Sequence, residues 1–130
     1  MEYIVEKKGL KEAVMFIGSV PNVNEYLNAM DLIVMPSLYE GIPLTLIEEQ
    51  ANGLPCIVSD GITKEVNKTG LVQFLSLNDD SQVWIDAIRK TISSKKRERA
   101  SLDAIESIQS SGYDIQNQAN KLKNYYLIGK

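Results

Sequence analysis

The sequence predicts an α/β fold, a mostly parallel sheet with helices on its faces. Residues 32–35 and 54–58 are apolar at nearly every position, the pattern of strands buried on both faces of a parallel sheet. Segments with helical spacing, about ten residues each, separate these runs. Pro36, Pro43, Gly53 and Gly61 punctuate the junctions. At 130 residues the chain has single-domain length and can bury one core.

Taken in order, residues 3–10 mix apolar and charged positions and read as the end of a helix stopped by Gly9. Residues 13–18, Ala-Val-Met-Phe-Ile-Gly, have the composition and length of a strand. Asn22 or Asn24 can cap a helix over residues 25–30. Residues 32–35 form a buried strand closed by Pro36. Pro43 is suited to the first position of the next helix, where its missing N–H does least harm, and Asn52-Gly53 ends that helix. Residues 54–59 are another buried strand, Asp60-Gly61 a turn and residues 62–66 a single helical turn. Residues 70–75 form a less buried strand.

From Asp79 the pattern is helical. Val83, Trp84, Ala87, Ile88 and Ile92 make one apolar stripe, and Leu102, Ile105 and Ile108 a second that ends near Gly112. Asp114 caps a last helix carrying Ile115, Ala119, Leu122, Tyr125 and Tyr126. All three stripes are expected in the core. Residues 1–78 thus form the sheet-bearing part of a single domain and 79–130 its C-terminal helices.

Composition excludes several function classes. The formal net charge is −3 and the densest basic run, Lys95-Lys96-Arg97, is followed by Glu98, so it reads as a solvated helix start. A broad basic face with interleaved aromatics, as nucleic acid requires, is missing. The single cysteine, Cys56, sits in an apolar run and is expected to be a buried small hydrophobe. There is no histidine, and no metal site is expected. No apolar run approaches the roughly 18 residues of a membrane span, and the charged N-terminus has no secretory core. The sequence therefore predicts a cytoplasmic protein.

Ligands of parallel sheets sit beyond the C-terminal strand ends, which points to residues 19–24 and 37–43. Residues 37–48, Ser-Leu-Tyr-Glu-Gly-Ile-Pro-Leu-Thr-Leu-Ile-Glu, join a strand to a helix N-terminus, where free amides and the helix dipole favour an anion. Gly41 permits close approach of a ligand. Glu40 and Glu48 bracket the turn, and Glu48 leans back toward the helix start. That arrangement suits a sugar, a diphosphate and a ribose laid in a row, although from spacing alone an ordinary loop acid at Glu40 and a solvated helix position at Glu48 are the stronger reading.

Residues 31–37, Glu40-Gly41 through Glu48, and residues 51–58 resemble the donor-site signature of the large retaining glycosyltransferase family of GT-B fold, of the family 4 or group 1 type. Its hallmark is two glutamates with seven residues between them, as Glu40 and Glu48 stand here. Residues 14–20 resemble the strand and glycine turn beside the nucleobase, and Tyr113-Asp114-Ile115 with the last helix the closing segment that crosses back over the N-terminal domain. The wording is closest to the capsular and exopolysaccharide branch.

The resemblance implies a Rossmann-like C-terminal half of a GT-B enzyme, truncated at its N-terminus. Glu48 would bind the ribose, Glu40 would lie by the transferred sugar as the catalytic residue, and Gly41 and Ile42 would line the sugar. The amides of Leu44 and Thr45 would hold the diphosphate, and Gly18 and Val20 would shape the base pocket. No cofactor or metal is implied. The donor would be a nucleotide sugar, a UDP-sugar by family weight. The acceptor domain, an Arg and a Lys for the diphosphate, and the first two strands of the donor domain, which in sheet order lie between the strand at Val14 and the strand at Leu32, are expected to be missing. Activity would then need the N-terminal part, and exposed strand edges would invite self-association. Peripheral contact of the full enzyme with the inner membrane face is left open. Two other readings stand beside this one: a non-catalytic nucleotide-sugar-binding subunit completed by a partner protein, and an unrelated α/β domain that meets the motif by chance.

Overall fold

The computed structural model describes residues 1–94 and 102–128; the basic run at 95–97 lies outside them. Three strands, β1 (Ile33–Met35), β2 (Cys56–Ser59) and β3 (Val72–Leu75), form a parallel sheet in the order β1-β2-β3. Six α-helices are described: α1 (Glu2–Lys7), α2 (Val23–Ala29), α3 (Leu44–Ala51), α4 (Ser81–Ser93), α5 (Leu102–Ile108) and α6 (Ile115–Ile128). A 3-10 turn, Lys64–Val66, replaces a helix between β2 and β3.

Register explains the core. Ile33 lies opposite Cys56 and Cys56 opposite Val72; Met35, Val58 and Phe74 align in the next row of the same face. Successive side chains of a strand point to opposite faces, so these two rows share one side of the sheet. Leu46 and Ile47 of α3 cover them, with Ile62, Val66 and Ile108 completing the cluster. α5 packs on α3 from outside. On the other face, Thr91 of α4 borders a cavity of about 230 Å³ with Ile57, Leu71 and Gln73. All four residues of β2 are buried, as expected of the central strand, whereas Val34 on the edge strand β1 is 41% exposed.

Local signals set the helix ends. At the end of α3, Gly53 adopts φ 69°, its N–H bonds Gln50 O at 2.9 Å, and Leu54 N–H bonds Glu49 O at 3.0 Å. This paired closure satisfies carbonyls left open at a helix C-terminus and needs the left-handed region that glycine enters without strain. Asp80 caps α4 through Gln82 N–H at 2.7 Å, and Asp114 caps α6 through Asn117 N–H at 2.6 Å. Pro43 is the N-cap residue of α3 rather than its first helical residue, one position from the expected place.

Four expectations are corrected. Residues 13–18 form no strand: Val14, Phe16 and Ile17 are 37%, 48% and 38% exposed, and none pairs with the sheet. β-forming composition creates a strand only where a neighbour supplies the ladder, and the described strands offer this segment none. On α5 the buried pair is Ala104 and Ile108, while Leu102 and Ile105 face outward. A helix buries whichever stripe meets its neighbours, and α5 packs on α3. The apolar residues of α6 are not core, since Ile115, Leu122, Tyr125 and Tyr126 are all exposed. On α4, Trp84, Ala87, Ile88 and Thr91 are half-buried, but Val83 and Ile92 are exposed.

Candidate functional site

The loop from Pro36 to Pro43 leaves the C-terminal end of β1 and delivers the chain into α3. Its residues are short of apolar partners, so its course is set by polar tethers to the exit of β2. The Ser59 hydroxyl donates to Ser37 O, and Glu40 and Ile62 form an isolated parallel bridge. Gly61 runs against the Leu38 carbonyl so closely that a Cβ at position 61 would overlap that oxygen. Ser59 and Ile62 are buried, which makes the β2 exit a solid wall beneath the loop.

On that wall the residues singled out from the sequence form one exposed surface. Glu40, Gly41, Ile42, Leu44, Thr45 and Glu48 all face solvent. On α3, positions 44, 45 and 48 share the outer side while Leu46, Ile47, Glu49 and Gln50 turn inward, the split that helical periodicity imposes. The Leu46 N–H bonds Pro43 O at 3.1 Å. As the first two amides of the helix, those of Leu44 and Thr45 have no intrahelical acceptor and lie at the positive end of its dipole. Among the described residues neither the Glu40 nor the Glu48 carboxylate has a side-chain hydrogen bond or ion pair. Two free carboxylates, two free amides and an open glycine can take a ligand that carries both hydroxyls and an anionic centre. Gly18 and Val20 lie on the segment before α2; Gly18 is exposed, Val20 half-buried, and no hydrogen bond among the described residues links them to the loop.

The acid beside Glu48 behaves differently. Glu49 is buried, and burial raises its carboxyl pKa from the ordinary 4.5 to about 7; the hydrogen bond from Cys56 opposes this and the nearby Glu48 adds to it. The Cys56 thiol donates to Glu49 at 3.7 Å. Burial, then the Glu49 charge and that hydrogen bond, push the thiol well above its usual range. This pair points into the core and away from the exposed row.

Sequence reasoning passed over three residues around the loop and α3: Ser59, Gly61 and Gln50. Ser59 and Gly61 were legible only as the end of a strand and a turn. Gln50 is fully buried: its Nε2 donates to Leu46 O at 2.8 Å and Val66 O at 2.9 Å, and its Oε1 accepts from Lys68 N–H at 3.0 Å and the Thr69 hydroxyl at 3.0 Å. A glutamine on the inward side of an otherwise apolar helix face was the available signal.

Comparison with known proteins agrees with this architecture. The family model described as glycosyl transferases group 1 matches residues 1–106. EpsF of Bacillus subtilis (strain 168) is 38% identical over 129 residues, which cover 98% of this chain and 33% of that protein. The capsular polysaccharide biosynthesis glycosyltransferase CapH of Staphylococcus aureus is 31% identical over 95% of this chain and 33% of its own length. The chain therefore spans about a third of these relatives. Among solved structures, the C-terminal domain of a glycosyl transferase group 1 family protein from Francisella tularensis superposes with a TM-score of 0.62 at 26% identity, covering 88% of this chain and 61% of that one. The parallel sheet, its flanking helices and the family match together show that this chain belongs to the glycosyl transferases group 1 family and has the fold of the C-terminal domain of a GT-B glycosyltransferase.

Proposed function

We propose that the chain is the donor-binding domain of a retaining glycosyltransferase of polysaccharide biosynthesis and takes a nucleotide sugar, by preference a UDP-sugar. One observation carries the reading: Glu40, Gly41, the two free amides and Glu48 stand in a row along the strand-to-helix junction at the C-terminal end of a parallel strand. In this reading the Leu44 and Thr45 amides receive the diphosphate, because helix N-termini stabilise anions without reorganising. Glu48 accepts the ribose hydroxyls, Glu40 a hydroxyl of the transferred sugar, and Gly41 and Ile42 line that sugar. Gly18 and Val20 flank the base.

Transfer breaks the bond between the anomeric carbon and the diphosphate and forms one to an acceptor hydroxyl oxygen on the same face, the hydroxyl proton passing to the departing diphosphate. The charge that grows on the departing diphosphate faces the α3 amides. The chain spans a third of its relatives, so acceptor binding and turnover belong to the longer protein or to a partner subunit, and the isolated chain is inactive. Among the described residues no helix is long and apolar enough to cross a membrane.

Calorimetric titration of the chain with UDP and GDP, each with and without its sugar, tests the reading. Saturable binding of one nucleotide is expected, with Glu48→Ala weakening it about tenfold, the cost of one charged hydrogen-bond pair. Binding that survives Glu48→Ala unchanged rejects the assigned ribose contact. Absence of binding at millimolar ligand in the folded chain rejects an independent donor module.

A further inference from the structure

We propose that Ser59 and Gly61, at the exit of β2, are positioning residues that set where Glu40 and Gly41 stand, and thereby the sugar end of the site. The inference rests on the donor-site reading for its ligand, but its geometry is independent of it. β2 is the central strand, all four of its residues are buried, and its end is the most fixed point near the loop. Three separate contacts join that end to the loop, at Ser37, Leu38 and Glu40. The fully buried Ser59 hydroxyl holds the Ser37 carbonyl. Gly61 abuts the Leu38 carbonyl with no room for a side chain, the obstructing atoms being backbone. Ile62, 1% exposed, bridges Glu40 as one step of a parallel ladder.

The Ser59 and Gly61 contacts reach the loop alone, whereas the Ile62 side chain also joins the core cluster with Leu46 and Ile47 of α3. The helix has its own fastening, through Leu46, Ile47 and Gln50 on its inner side. The site is therefore held in two parts: the half assigned to ribose and diphosphate moves with α3, and the half assigned to the sugar moves with the β2 exit. At position 61 the constraint is exclusion of a side chain, since an added methyl must push the Leu38 carbonyl outward and carry Tyr39 and Glu40 with it. At position 59 it is attraction, a hydrogen bond that also satisfies a polar group inside the core.

The test uses Gly61→Ala and Ser59→Ala in the chain as it stands, with two measurements. Amide NMR spectra report displacement directly: signals of residues 38–42 are expected to shift in both variants while those of Leu46, Ile47 and Val58 hold. Calorimetry then compares UDP with UDP-glucose and GDP with GDP-mannose. The affinity that the sugar adds is expected to fall about tenfold, as loss of one hydrogen bond to a charged group implies, with the bare nucleotide within about twofold of the original. Equal weakening of nucleotide and nucleotide sugar overturns the proposal, since a merely structural role would do that. Unshifted loop amides overturn it as well, whatever binds. Should the unmodified chain bind no nucleotide, the donor reading fails by itself, and the amide spectra still decide whether Ser59 and Gly61 place the loop.

Discussion

Replacing Gln50 by methionine keeps the length and shape of the side chain and deletes its hydrogen-bonding groups, so the change reads the polar clamp between α3 and residues 66–69. Four partners lose a bond: Val66 O, Lys68 N–H, Thr69 N–H and the Thr69 hydroxyl. Leu46 O keeps its helical bond from the backbone of residue 50. Val66 is completely buried, so its carbonyl bears the full desolvation cost of about 1–3 kcal/mol. Lys68 and Thr69 are half-buried and partly recoverable by water, at about 0.5–1 kcal/mol each. Burying a thioether in place of an amide returns about 1 kcal/mol. The net loss is about 3 kcal/mol, a large share of the roughly 5–15 kcal/mol typical of a domain. Urea denaturation followed by Trp84 fluorescence measures it. With a slope of about 1.5 kcal/mol per molar, the midpoint falls by about 2 M at unchanged slope. A shift below about 0.5 M refutes the reasoning, because it means that solvent already satisfies the turn and the buried amide adds nothing.

Stability should also depend on pH through Glu49. Its folded pKa is raised from 4.5 to about 7, so the native state holds a proton that the unfolded chain releases, and stability falls as pH rises between those values. The full cost above pH 7 is about 3 kcal/mol; Glu49→Gln is expected to flatten that slope and to exceed the original stability at pH 8 in parallel denaturation series. Cys56, buried and shifted upward, should resist a maleimide in native buffer at pH 8 and react at once in denaturant. Equal labelling rates in the two states would overturn its placement. Gly53→Ala, at φ 69°, should cost about 1 kcal/mol by thermal melting, since alanine must enter the left-handed region to close α3.

What could be read from the sequence was what adjacent residues determine. The β1–α3–β2 passage was legible because its strands are apolar at consecutive positions and Pro43, Asn52 and Gly53 mark the helix between them. The placement of Glu40 and Glu48 around a strand-to-helix turn is local geometry and was legible, whereas their assignment to a ligand rests on the family resemblance. Features set by distant partners were not. Residues 13–18 carry the composition of a strand and pair with none of the described strands. The stripe on α6 has helical spacing and no surface opposite it among the described residues. On α5, which packs on α3, Ala104 is buried and Leu102 exposed, a choice of face that hydrophobicity alone does not reveal. The Gln50 clamp joins residues up to 19 apart and the Ser59–Ser37 bond residues 22 apart, and neither leaves a periodic trace.

The division of α3 into two faces makes the candidate site separable from the fold. Leu46, Ile47 and Gln50 bear the load on the inner side, whereas Leu44, Thr45 and Glu48 on the outer side are exposed. Surface substitutions away from caps and buried networks usually change stability by less than about 0.5 kcal/mol. Glu48→Ala should therefore unfold at the same urea concentration as the original chain while losing nucleotide affinity. Were its midpoint to drop along with its binding, the outer face would be part of the fold's support, and loss of binding could no longer be ascribed to a missing carboxylate. An unchanged midpoint makes the binding loss a direct report on the contact. Gln50→Met supplies the reverse case, a destabilised fold whose outer-face groups are intact, so at a urea-free temperature where it remains folded it should bind as the original does.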